Sequence, residues 1–144
     1  MDDPSPRLLA QRLRNRLMET MWALANWRRS LESVDPREFL AGAFDDLDDR
    51  GRPFAYDILT EDEATAVCAA YVEVRNAVET IERVHGSLAI DAETFMATGW
   101  PQRIAPLAER TLRLMLARGR FREDQEEDRP SLEDGWPWDN KYKR

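Results

Sequence analysis

The sequence is short of the side chains on which much enzyme chemistry depends. It has one cysteine, Cys68, one histidine, His85, and two lysines, Lys141 and Lys143, in 144 residues. A lone cysteine excludes an intramolecular disulfide framework. One histidine and one cysteine cannot make a zinc site of the usual kinds. No Gly-x-Ser-x-Gly or phosphate-loop pattern occurs. The longest apolar run is "AVCAAYV", residues 66 to 72, against the roughly 20 residues that a spanning helix needs, so no transmembrane segment is expected. The N-terminal "MDDPSPR" lacks the basic-then-apolar order of a secretory signal, and a cytoplasmic location is the expectation. No repeat and no glycine- or serine-rich linker divides the chain, and nothing in it implies a cofactor.

What is present is charge. Charged residues make up 34% and apolar residues 42%, a polar but globular balance for a chain of single-domain length. The net charge of −7 is unevenly laid out. Residues 1 to 30 carry +3, residues 31 to 98 carry −11, residues 99 to 122 carry +5 and residues 123 to 144 carry −4. An acidic middle between basic segments repels a polyanion and favours a basic partner, so nucleic acid is not the expected ligand. The plainer alternative is that acidic and basic segments pack together and cancel within the fold.

Helix signals recur along the chain. Ser5-Pro6 reads as an N-cap followed by proline in the first turn, and Ala10, Leu13, Leu17, Thr20, Leu24, Trp27 and Leu31 then follow at alternating steps of three and four. That spacing predicts a helix over 6–31. Asp35-Pro36-Arg37-Glu38 repeats the start signal for a short helix through Leu47. Thr60 and Glu63 form a capping box ahead of a second seam of Ala64, Val67, Tyr71, Val74, Val78 and Ile81. This predicts a helix over 61–85, ended by Gly86, with His85 favourable at its negative end.

Asp91 should cap a short helix as far as Thr98. Trp100 and Pro101 should open a last helix over 101–118, kinked near Pro106 and lying near the centre of the core. "FAYDIL" (54–59) and "SLAID" (87–91) have some strand character and at most pair with each other. The expected class is all-α: a single four- or five-helix bundle over residues 1–120, with at most one short two-stranded β pairing. Residues 121–144 then form a charged, irregular tail.

Candidate chemistry centres on "DDLDDRGRPFAYD", residues 45 to 57. Asp46, Asp48, Gly51 and Asp57 fall at positions 1, 3, 6 and 12 of a calcium-loop register. However, Arg50 stands where a ligand oxygen belongs, Pro53 takes an apolar position and Asp57 is shorter than the usual glutamate. A solvated turn suits Asp48 and Asp49 better. Asp45 and Asp46, beside Phe54 and Tyr56 and joined by Glu61 and Asp62, read as an acidic binding patch. Glu79 and Glu82 share one helix face, as in all-α enzymes that hold magnesium through carboxylates, with Asp91 and Glu93 as the nearest further acids; a solvated helix face is the plainer and preferred explanation. Cys68 reads as a small packed hydrophobe. Trp22 and Trp27 fit core packing, and Trp136 and Trp138 either dock back onto the bundle or anchor a partner.

The segments "FDDLDD", "FAYDIL", "TEDEATAV" and "GWPQRIAPLAERTLRLM", which span most of residues 44 to 115, resemble a set of small uncharacterised actinobacterial helical proteins. The resemblance implies a helical fold and carries no activity, cofactor or site residue. Acidic helical proteins of this size are also similar, in fold class and charge, to immunity proteins that neutralise basic toxins. The leading expectation is therefore a non-enzymatic interaction module with an acidic surface for a basic protein. The alternatives are a magnesium-dependent all-α phosphohydrolase using Glu79 and Glu82, and a small homodimeric structural subunit held by an exposed seam.

Overall fold

The computed structural model describes residues 3–48 and 58–132. Among the described residues six helices follow one another: α1 (Pro6–Ala25), α2 (Trp27–Ser30), α3 (Pro36–Leu47), α4 (Glu61–His85), α5 (Ala92–Ala97) and α6 (Trp100–Arg118). The start signals act as local chemistry dictates. Ser5 accepts from the Leu8 N–H, Asp35 from Glu38 and Asp91 from Thr94, and the Thr60–Glu63 capping box closes in both directions. Each bond satisfies an N–H that the first helical turn leaves unpaired. Gly86 ends α4 in the left-handed region at φ 83°.

The predicted helix over 6–31 is two helices. Asn26 sits at φ −113° and ψ 46° and its side-chain amide donates to the Trp22 carbonyl at 2.9 Å, so it competes with the backbone ladder at that point. Across the break the Ser30 hydroxyl donates to the Ala23 carbonyl at 3.0 Å. "SLAID" is not a strand: Leu88 and Ile90 pack against the core from an irregular link, and the Ser87 hydroxyl accepts from the Ala89 N–H. Ile58 and Leu59, the described end of "FAYDIL", are buried without strand pairing. Among the described residues the β-type pairing is a single antiparallel bridge, Arg120 with Ser131.

Helix α6 packs against α1, α4 and α5, and α3 packs against α4 and α1. Ile104, Ala108, Leu112 and Met115 of α6 face a core shared with Leu17, Met21, Val74 and Ile81, and the helix runs on through Pro106. Trp100 is the first residue of α6, half-buried, with the Arg103 guanidinium 5.3 Å from its ring centre. The inner residues of both seams, Leu17, Leu24, Val67, Val74 and Ile81, are buried, while Leu9 at the edge of the first is exposed. Cys68, one step off its seam, is exposed rather than packed.

The described part of the tail lies along α1. One turn apart on that helix, Arg7, Gln11 and Asn15 hold its backbone: Arg7 donates to the Glu127 carbonyl (2.7 Å), Gln11 to that of Gln125 (3.0 Å) and Asn15 to that of Phe121 (2.8 Å). Phe121 is buried with Ala10 and Ile58. The turn into this strap requires glycine, because Gly119 has φ 95° and a Cβ there would overlap the Ser131 carbonyl.

Beneath the strap is a buried ion network. Glu63 accepts from Arg14 at 2.9 Å and from Arg118 at 2.7 Å, while Arg14 also donates to the carbonyls of Met115 and Gly119. Arg14 and Glu63 are 0% and 1% exposed. Burial pushes the Glu63 carboxyl up, but the hydrogen bonds and charges of Arg118 and Arg14 outweigh it and hold the group below the usual carboxylate range. One side chain thus closes the capping box of α4 and ties α4 to α1 and α6.

Candidate functional site

Helices α1, α2 and α3 leave a half-open cleft of about 410 Å³ between them. Its lining residues fall on both sides of the break at Asn26: Thr20 and Trp22 to Leu24 before it, and Arg29, Ser30, Ser33 and Val34 after it. Trp22, Ala23 and Leu24 of α1 and Phe39 and Ala43 of α3 supply apolar walls. Gly42 adds no side chain to the α3 wall, and a Cβ built there meets nothing within 4 Å.

The polar groups come from all three helices and the link before α3. Thr20 and Asp46 are joined by a hydrogen bond from the Thr20 hydroxyl to Asp46 Oδ2 at 2.9 Å. Arg29, Ser30 and Ser33 come from α2 and the loop that leads into α3. The Arg29 guanidinium lies 5.5 Å from the Trp22 ring centre and has no ion-pair partner among the described residues. Phe39 to Asp46 is seven helical residues, so the α3 wall runs for about 10 Å along that helix. The negative charge of Asp46 reaches Glu19, whose carboxyl is raised above its ordinary value. Burial is the main cause, Arg120 opposes it, and Glu123 and Asp46 contribute.

The structure brings only part of the expected acidic patch together. Asp45 is exposed on the last turn of α3, and Asp46 lines the cleft. Asp48 stands in the turn that ends α3, as expected, but half-buried rather than solvated, and its carboxylate accepts from the Tyr71 hydroxyl at 2.8 Å. Glu61 and Asp62 are exposed in the first turn of α4. Tyr71, which anchors the end of α3, is ten residues or about 15 Å along α4 from Glu61. The two acidic groups are therefore separate neighbours rather than one cluster. Asp49, Phe54, Tyr56, the calcium-loop positions from Arg50 to Asp57, and Trp136 and Trp138 lie outside the described residues.

Glu79 and Glu82 are exposed on α4, and among the described residues no group of three or more histidine, cysteine or acidic side chains could hold a metal ion. Asp91 is held by its capping bond to Thr94, which lowers its pKa. His85 is exposed in the last turn of α4. Sequence reasoning missed Thr20, Arg29, Ser30, Ser33 and Gly42. The available signal was Gly42 itself, a glycine inside a helix whose ends were both legible. No protein-family model, curated protein or solved structure matches this chain. Among the described residues, no helix is long and apolar enough to cross a membrane.

Proposed function

We propose that the chain is a non-enzymatic interaction module that binds a basic protein partner at the end of α3, with Asp45 and Asp46 as the charged contacts. One observation carries the reading. Asp46 lines an apolar cleft with one carboxylate oxygen free of protein hydrogen bonds among the described residues, and Asp45 is exposed next to it. Apolar surface flanked by carboxylates supplies both parts of a protein contact: a desolvated anchor point and a rim charge that steers encounter. The excess of acids over residues 31 to 98 supports the same sign of partner. Glu61 and Asp62 act as outlying charges that add to the field.

The test is capture from native lysate with wild-type and Asp45→Lys/Asp46→Lys baits, at low salt and near 1 M salt, where the screening length shrinks to about 3 Å. A partner enriched by the wild type at low salt, and lost both at high salt and with the charge-reversed bait, is the expected result. A partner indifferent to the reversal, or none enriched under either condition, ends the reading.

A further inference from the structure

We propose that the cleft receives the free C-terminal end of the partner chain. The terminal carboxylate lies on Arg29, an apolar last residue sits between Trp22 and Phe39, and a lysine or arginine about three residues upstream pairs with Asp46. This inference rests on the basic-partner reading and adds which part of the partner enters.

Groups of both signs line the cleft. The Arg29 guanidinium lies against Trp22 without an ion-pair partner among the described residues, and Ser33 also lines the cleft. A guanidinium is the side chain best shaped to take a carboxylate. Thr20 fixes one oxygen of Asp46, and the other has no hydrogen-bond partner among the described residues. Three extended residues span about 10 Å, which matches the seven helical residues from Phe39 to Asp46 at about 1.5 Å each. The volume of about 410 Å³ suits one or two side chains.

Gly42 strengthens the case. A glycine inside a helix is destabilising by about 1 kcal/mol relative to alanine, and no neighbour within 4 Å excludes a Cβ at this position. What a larger residue there would occupy is the cleft. A carboxylate from an internal acidic side chain is the competing source, and amidation of the terminus separates the two.

The experiment titrates the full chain at low salt with a fluorescein-labelled hexapeptide of sequence Gly-Ser-Lys-Ser-Leu-Phe ending in a free carboxylate. Two companions are the same peptide amidated at its C-terminus and a version with glutamate in place of lysine. The expected result is saturable binding of the first, and losses of about tenfold or more for each companion, the factor that a charge-assisted contact carries. Arg29→Ala should weaken the free-acid peptide and leave the amide unchanged. Gly42→Leu, which fills the cleft with a better helix former, should abolish binding while the thermal midpoint holds or rises.

Equal binding of acid and amide, with the glutamate peptide excluded, overturns the terminal-carboxylate inference and leaves the basic-partner reading standing. So does a lack of binding by all three peptides if the lysate capture has yielded a charge-dependent partner. Full binding by Gly42→Leu overturns the cleft as the site. Equal binding of the lysine and glutamate peptides overturns the inference and counts against the basic-partner reading as well.

Discussion

Replacing Glu63 with glutamine removes one charge from the centre of the molecule and leaves nearly everything else in place. Glutamine at this position can still close the capping box with Thr60, so the change isolates the ion network from the helix start. Arg14 is wholly buried and has no other carboxylate partner among the described residues, and Arg118 is 31% exposed. Taking the partner from a buried charge costs about 3–5 kcal/mol. The lower figure applies here, because Arg14 keeps the Met115 and Gly119 carbonyls and Arg118 keeps that of Ile58. For a domain of this size, about 3 kcal/mol corresponds to a fall of roughly 10 °C in thermal midpoint.

Urea titration followed by circular dichroism, together with calorimetry, reads the change. Glu109→Gln is the control. It removes the partner of Arg113 in an i,i+4 pair whose side chains are 25% and 52% exposed, and should cost less than about 0.5 kcal/mol. A Glu63→Gln midpoint within about 3 °C of the wild type would refute the claim that this carboxylate holds α1, α4 and α6 together.

Other outcomes follow from the same contacts. The depressed pKa of Glu63 contributes stability that is fully present above its unfolded value, 4.5, and is lost as pH falls through the lower folded value. Acid titration should therefore show a steeper loss in the wild type than in Glu63→Gln, and parallel curves would refute it. Gly42→Ala should raise the unfolding free energy read by urea titration by about 0.5–1 kcal/mol, because the site has room for a Cβ and the helix gains propensity; a destabilised variant would show that the wall of the cleft is packed. Gly119→Ala should lower stability by more than about 1 kcal/mol, since both the left-handed backbone and the Ser131 carbonyl oppose a side chain, and hydrogen exchange should rise first in residues 120–131.

Several expectations survived contact with the structure because they rested on bonds between near neighbours in sequence. Thr60 and Glu63, Asp35 and Glu38, and Asp91 and Thr94 are three residues apart, and their caps close whatever the rest of the chain does. The seam of α4 alternates by threes and fours along one element, so its buried face was readable too. The break at Asn26 was not. The heptad pattern continues across it through Trp27, and only the amide of Asn26 and the hydroxyl of Ser30 mark the interruption. Arg29, Ser30 and Ser33 lie beyond that break and line the cleft, so the candidate site was hidden along with it, and of the acidic patch Asp46 lies on its wall.

By itself, then, the sequence determined an all-α class, the starts of α1, α3, α4 and α5, and the glycine that ends α4. The tertiary structure alone decided that Glu63 is the hub between Arg14 and Arg118, 49 and 55 residues away. It alone decided that Arg7, Gln11 and Asn15 grip a strap more than 100 residues downstream. It also placed Asp46 across a cleft from Arg29. Arginine, glutamine and asparagine on a helix look the same in sequence whether they face water or a distant backbone. Which of the two they face is settled by how the apolar stripes of α1, α4 and α6 dock, and that docking depends on the whole core at once.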